Sequence, residues 1–171
     1  MKSLTCFLFL VFFTVVCVSG QTTKEEAKKL ARPADCGVSQ YDDFKNSSFN
    51  LLSELLKTDT NYEKIKVDVS GYIEGEKEVT IDGVKGDISR LKSLKGSLES
   101  MDERVASLTT DGNDLLENAT KVKPVTKVKA ATDNTKESLK AVDLSKKMID
   151  EISGQVEEDI KSLTGLLPKE E

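Results

Sequence analysis

The sequence predicts an all-α protein, built as a long antiparallel helical hairpin or a small helix bundle. Two long stripes of aliphatic residues recur at helical spacing, and a short break around Pro124 separates them. A short connection favours antiparallel packing of the two helices that it joins. Only 5% of the residues are aromatic, so the core is expected to be aliphatic and thin.

The N-terminus has the pattern of a cleaved signal peptide. Lys2 precedes an apolar run from Cys6 to Val18, which is shorter than the roughly 20 residues that a membrane-spanning helix needs. The small residues Val18 and Gly20 fit a cleavage site before Gln21. We therefore expect removal of residues 1–20, secretion into the extracellular space and no stable membrane insertion.

The mature chain is expected to hold one helical domain, preceded by a short polar segment. Residues 21–39 combine a polar helix over 22–32 with a turn from Pro33, because the residue before a proline disfavours the α conformation. The helical domain spans 40–167, and residues 168–171 form a polar tail. One domain is the expected number for a chain of this length.

The domain begins with a helix predicted over residues 40–57, which has a broad apolar face. That face comprises Tyr41, Phe44, Leu51, Leu52, Leu55 and Leu56. The interval 64–84 is ambiguous, because Ile65, Val67, Val69, Val79 and Ile81 alternate with polar residues and glycines. A short β-hairpin with a turn near Gly75 is slightly favoured, and it would need a helix to pack against. A loosely wound helix start is the alternative.

From Asp87 onward the apolar residues recur every three or four positions, which predicts a long helix. This stripe comprises Ile88, Leu91, Leu94, Leu98, Met101, Val105, Leu108 and Leu115, with an interruption expected at Gly112. The stripe after Pro124 recurs every seven residues, at Val128, Thr135, Val142, Ile149, Val156 and Leu163. Leu139, Ile160 and Leu167 occupy a companion position that Lys146 and Ser153 interrupt. The result is an impure heptad seam.

Cys36 is the only cysteine that remains once Cys6 and Cys17 leave with the signal peptide. An unpaired cysteine in a secreted chain suggests an intermolecular disulfide, here with a second copy or another chain. The alternative is an idle or capped thiol. Catalysis by Cys36 is not expected, since the chain has no His to activate it and Asp35 would raise its pKa.

Two sequons and a lysine cluster are the other candidate sites. Asn46 and Asn118 each begin an Asn-x-Ser/Thr sequence that a secretory pathway could glycosylate. A weak basic patch comprises Lys121, Lys123, Lys127 and Lys129. Such a patch could contact a sulfated glycan or phospholipid. The simpler interpretation is a solvated helix joint, with its charge offset by Glu117 and Asp133.

Composition excludes several function classes and leaves an interaction protein as the main expectation. The absence of His removes imidazole metal sites and His-activated nucleophiles, so no enzyme activity, catalytic residue, metal or cofactor is expected. A net charge of −5 gives no general attraction to nucleic acid. We expect a secreted helical protein that binds another extracellular protein as an effector, inhibitor or interaction module. It would present either a long helix face or the 64–84 segment to that partner. The alternatives are a disulfide-linked coiled-coil scaffold and an exchangeable lipid carrier with weak lipid binding.

Overall fold

The computed structural model describes residues 22–168, and the predicted signal peptide lies outside them. Helix α1 covers residues 22–29. Three long helices follow, α2 (Ser39–Glu74), α3 (Ile81–Asn118) and α4 (Val128–Gly165). Two single-turn 3-10 helices, Ala119–Lys121 and Val125–Lys127, connect α3 to α4. The described chain contains no strand, which confirms the prediction of an all-α helical bundle.

The three long helices run up, down and up, and α4 packs extensively against both α2 and α3. The start of α2 meets the end of α3 where the Tyr41 hydroxyl donates to the carbonyl oxygen of Leu115, at 3.0 Å. α1 packs against α2 and α4, with Ala27 buried in the main core. None of the helices in residues 22–168 has the length and apolar character needed to cross a membrane.

The β-hairpin predicted for residues 64–84 is wrong, because this interval is helix, turn and helix. α2 continues to Glu74 and ends where Gly75 adopts a left-handed conformation with φ 77°. α3 begins after Thr80, whose side chain accepts a hydrogen bond from the backbone N–H of Gly83 at 3.2 Å. A hydroxyl at this position satisfies one of the free N–H groups of the first helical turn.

The alternating residues that suggested a strand belong to a helix. Some of them lie on its buried face, and the others lie on its exposed face. Ile65, Val69 and Tyr72 are four and three residues apart, so they share one face of α2, and all three are buried. Val67 lies between them in sequence but is 72% exposed. The helix predicted over 40–57 is therefore only the first half of α2.

Five of the six stripe positions of α4 lie in the core as predicted, whereas Val128 and the companion row are only partly buried. The five are Thr135, Val142, Ile149, Val156 and Leu163, and the companion row is Leu139, Ile160 and Leu167. A second buried row lies three residues after the first four stripe positions, at Ala131, Ser138, Ser145 and Ile152. Three of these side chains are small, which leaves room for a neighbouring helix to approach closely.

Helix α3 continues without interruption through Gly112, where the sequence suggested a break. Gly112 is buried, and a Cβ atom there would lie 2.6 Å from Cζ of Phe44 and 2.5 Å from Cδ2 of Leu139. The missing side chain therefore makes room for contacts from α2 and α4. Pro124 does separate α3 from α4, as predicted.

Candidate interaction surface

The bundle has two ends that differ in chemistry. The connection end consists of the loop 30–38, the first turns of α2, the end of α3, residues 119–127 and the start of α4. The turn end consists of residues 73–82, which join α2 to α3. All candidate sites chosen from the sequence lie at the connection end or within about two helical turns of it. They are Cys36, Asn46, Asn118, Lys121, Lys123, Lys127 and Lys129.

Asp42 and Lys127 fix the backbone around Cys36. The Asp42 carboxylate accepts hydrogen bonds from the N–H groups of Cys36 and Gly37, at 2.8 and 2.9 Å. The Lys127 ammonium donates to the carbonyl oxygen of Gly37 at 2.6 Å. Partial burial acts to raise the pKa of Asp42, but these hydrogen bonds and the charge of Lys45 hold it below its usual range.

Two further side chains hold the same loop from α2 and α4. Asn134 on α4 donates to the carbonyl oxygen of Ala34 at 2.8 Å. Lys45 on α2 is only 2% exposed and forms an ion pair with Asp35. A lysine is rarely this buried unless it is paired, so Lys45 acts here as a tether for the loop.

Cys36 is half-buried and packs against a small apolar cluster that is separate from the main core. The buried members of this cluster are Tyr41, Ala119, Val122 and Ala131. Burial raises the pKa of the Cys36 thiol, and the neighbouring Asp42 carboxylate raises it further. Because the thiolate is the reactive form, this environment makes Cys36 a poor nucleophile at neutral pH.

The lysines of the predicted basic patch are largely occupied by contacts within the chain. The Lys121 ammonium donates to the side-chain oxygen of Asn118 at 2.7 Å, and Lys129 pairs with Asp133. Lys127 makes the loop contact described above. Lys123 is exposed and makes no hydrogen bond or ion pair within residues 22–168. The contacts of the other three lysines favour the interpretation of the cluster as a helix joint.

The two sequons differ in exposure. Asn118 and Thr120 are exposed at the end of α3. Asn46 is only half-exposed, and Ser48 of the same sequon is fully buried with its hydroxyl donating to the carbonyl oxygen of Phe44 at 2.9 Å. Of the two, the Asn118 sequon is therefore the more accessible in the folded protein.

The turn end lies within the 64–84 segment, which the sequence offered as one of two binding elements, although no site residue was chosen there. Every residue from 73 to 82 is exposed, and we call this segment the turn-end surface. Its large apolar side chains are Ile73, Val79 and Ile81, which are 56%, 47% and 50% exposed. Its carboxylates are Glu74, Glu76, Glu78 and Asp82.

Lys77 holds the turn in a defined shape. Its backbone N–H donates to the carbonyl oxygen of Gly71 at 2.9 Å, and its ammonium donates to Asp68 at 2.8 Å. The same ammonium lies 4.5 Å from the ring centroid of Tyr72. The hydrogen bond from Lys77, with a second contribution from Arg90, holds the pKa of Asp68 below its usual range.

The apolar residues of this surface were misread because their spacing resembled a strand. Val79 and Ile81 flank a single polar residue, and such alternation normally indicates one buried face. The turn itself was predicted near Gly75 and lies there, but it joins two helices and its apolar neighbours are exposed.

A side cleft of about 620 Å³ lies between α1, α2 and α4. Its charged and polar groups are mostly satisfied by each other, through the Lys24–Asp59 ion pair and a 3.1 Å hydrogen bond from Lys66 to Gln155. Within residues 22–168, no cluster of His, Cys, Asp and Glu is arranged to hold a metal ion. The cleft therefore offers no unbalanced charge that would select one ligand.

Comparisons with known proteins do not place the chain in a family. No family model, curated protein or solved structure matches it. Function must therefore be inferred from the surface itself.

Proposed function

We propose that this protein is a secreted helical protein that binds another extracellular protein through the turn-end surface, and that it does not catalyse a reaction. The observation that carries the proposal is the exposure of Ile73, Val79 and Ile81 within one short segment. Single exposed apolar residues are common. Several large ones close together, with polar residues around them, are typical of interaction sites.

The rigidity of the turn supports the same proposal. Lys77 links the turn to α2 through Gly71, Asp68 and Tyr72, and Thr80 fixes the start of α3. A surface that is ordered before binding loses less conformational entropy when a partner docks. The turn-end surface therefore has both the apolar area and the preorganisation that a binding site needs.

The two alternative functions have less support. The heptad stripe of α4, including Val142 and Val156, is buried inside the bundle, so these side chains cannot form a coiled coil with a second copy without unfolding. Cys36 is half-buried with a raised pKa, which disfavours its use as a crosslink. Lipid carriage would require the bundle to open and expose the same stripe.

The test is capture of a partner from the extracellular fluid of the source organism by immobilised protein. Val79→Ser is the test variant and Val125→Ser is the matched control, because Val125 is a 68% exposed valine at the connection end. We expect the wild type and Val125→Ser to retain the same partner and Val79→Ser to lose most of it. Equal capture by all three proteins, or no specific capture by the wild type, would contradict the proposal.

Secretion is tested separately by expressing the full chain in eukaryotic cells. We expect the protein to appear in the medium with an N-terminus at Gln21, which mass spectrometry would identify directly. Retention of the full-length chain inside the cells would contradict this part of the proposal.

A further inference from the structure

We propose that the partner presents a cationic amphipathic surface to the turn-end surface, such as a helix with an apolar stripe flanked by Lys or Arg. This inference rests on the proposed function and adds the chemistry of the partner. It follows from how charge and apolar area are distributed over residues 73–82.

The charge of the turn-end surface is unbalanced. The segment contains four carboxylates, at Glu74, Glu76, Glu78 and Asp82. None of the four forms an ion pair with another residue of the described chain. The one lysine of the segment, Lys77, is already paired with Asp68. The segment therefore carries four carboxylates that no ion pair of the described chain neutralises.

The apolar side chains and the carboxylates are interleaved. Val79 and Ile81 are 47% and 50% exposed and are separated by one residue, Thr80, whose backbone is extended. Glu78 and Asp82 border this apolar pair in sequence. A partner that buries the pair must bring its own surface close to these carboxylates.

Burial of charge next to an apolar contact selects a cationic partner. An apolar partner without cations would leave the carboxylates partly desolvated and unpaired, which is unfavourable. A partner with Lys or Arg beside its apolar stripe satisfies them and is also attracted from a distance. An amphipathic helix provides both features at a spacing of one helical turn.

A second copy of this chain does not fit the same surface. Two turn-end surfaces facing each other would place the four carboxylates of one copy against those of the other, and like charges in contact are destabilising. At the connection end, Lys121, Lys127 and Lys129 already have acceptors within their own chain, which leaves Lys123 alone of the four patch lysines to meet four carboxylates. The charge distribution therefore favours a different protein as the partner.

The experiment is titration of ¹⁵N-labelled mature protein with a synthetic amphipathic helical peptide of Leu and Lys. The matched peptides replace each Lys by Gln or by Glu. We expect the Lys peptide to shift the amide signals of residues 73–82 most strongly, the Gln peptide to bind more weakly and the Glu peptide to leave them unchanged. Higher salt should weaken binding of the Lys peptide, since the contact is electrostatic.

Two triple variants separate the local surface from the overall acidity of the protein. Glu74→Gln/Glu76→Gln/Glu78→Gln should raise the Kd for the Lys peptide about tenfold, because three exposed ion pairs with the peptide are lost. The control removes three exposed carboxylates near the connection end, through Asp111→Asn/Asp114→Asn/Glu117→Gln. Its Kd should stay within about twofold of the wild type, because these groups are remote from the turn.

Three results would overturn the inference. Shifts spread over the whole protein, with equal losses in both triple variants, would mean general attraction of a cation to an acidic protein. Equal binding of the Lys and Gln peptides would show that the partner does not need positive charge. The apolar contact of Val79 would still stand, because partner capture tests it independently. Concentration-dependent shifts of residues 73–82 without peptide would assign the surface to a second copy.

Discussion

The connection end and the turn end use the same residue types for opposite purposes. At the connection end, Tyr41 and its neighbours form a buried cluster, and Lys45 and Lys127 tether a loop. At the turn end, Val79 and Ile81 stay exposed, although Val122, a residue of the same aliphatic type, is buried in the cluster. The comparison teaches that the residues most conspicuous in the sequence stabilise the fold, whereas the unsatisfied surface lies at the opposite end.

The largest expected effect comes from truncating an apolar side chain at each end. Tyr41→Ala should lower the free energy of unfolding by about 3–5 kcal/mol, since it leaves a cavity in the small cluster. Ile81→Ala should lower it by less than about 0.5 kcal/mol, because Ile81 is exposed. Urea denaturation of the two variants measures both values.

A conservative variant separates packing from hydrogen bonding at the same site. Tyr41→Phe removes only the hydroxyl that donates to Leu115, and its expected loss is about 1 kcal/mol. Similar losses of unfolding free energy for Tyr41→Ala and Ile81→Ala would contradict the account, because Ile81 would then stabilise the fold as much as Tyr41 does.

Asp42→Ala should release the loop that holds Cys36. The change removes the acceptor of two backbone hydrogen bonds, and the expected loss of stability is about 1–3 kcal/mol. It also removes a carboxylate that raises the pKa of the Cys36 thiol. We therefore expect faster reaction of Cys36 with a thiol reagent at pH 7, measured by the rate of adduct formation.

The neighbouring Asp43 provides the matched control for Asp42. Asp43 is exposed and accepts a hydrogen bond only from the Ser39 hydroxyl, at 3.0 Å. Asp43→Ala should change stability by less than about 0.5 kcal/mol and leave the thiol rate unchanged. An equal rate increase in both variants would show that general charge, and not the loop contact, controls Cys36.

Asp159, a half-buried carboxylate in the last third of α4, should respond to pH with the opposite sign to Asp68 at the turn. Burial raises the pKa of Asp159, although a 2.8 Å hydrogen bond from the Tyr62 hydroxyl partly offsets the shift. A raised folded pKa means that the stabilising contribution is fully present below the unfolded value of about 4 and is lost as the pH rises through the folded value.

Asp159→Asn keeps an oxygen acceptor for Tyr62 and removes the buried charge. We expect it to be neutral or to raise the free energy of unfolding by up to about 1 kcal/mol at pH 7, with a flatter pH dependence. Urea denaturation from the unfolded value of about pH 4 upward measures the change. A loss above about 2 kcal/mol would mean that the ionised carboxylate stabilises the bundle, and would contradict the assigned direction.

The smallest expected effect is the acid sensitivity of the turn itself. The pKa of Asp68 is lowered mainly by its hydrogen bond from Lys77. Its stabilising contribution is therefore present above the unfolded pKa of about 4 and is lost as the pH falls through the folded value. Both groups are partly exposed, so the contribution is below about 1 kcal/mol.

Amide hydrogen exchange can detect this small local effect. We expect exchange of residues 75–80, corrected for its intrinsic pH dependence, to gain protection above pH 4 in the wild type. Asp68→Asn should lack that gain. Protection that is equal in wild type and variant at all pH values would show that the backbone contacts of the turn suffice without the ion pair.

The sequence revealed the elements whose signals are local and missed those whose partners are distant. The stripe of Val142, Ile149 and Val156 follows helical periodicity, so its burial was predictable. The continuation of α2 past residue 57 has a local signal too, the helical spacing of Ile65, Val69 and Tyr72, but the alternation of these residues with polar neighbours obscured it. Its polar side chains are held by distant contacts such as Lys24–Asp59, about which periodicity within one helix contains no information.

The candidate sites show the same division. Cys36 and the lysines could be found from the sequence, but their use in holding the loop depends on Lys127 reaching Gly37, 90 residues away in the chain. The exposure of Val79 could not be read from its alternation with polar neighbours, because exposed and buried residues alternate in the same way. Only the packing of α2 against α3 and α4 shows which apolar residues remain uncovered.

The most direct test of the difference between the two ends is photo-crosslinking from one position at each. A photoreactive phenylalanine analogue replaces Val79 in one protein and Val125 in the other, and both are irradiated in extracellular fluid. We expect one discrete adduct from position 79 and none from position 125. An adduct from position 125 alone, or identical adducts from both positions, would contradict the assignment of binding to the turn-end surface.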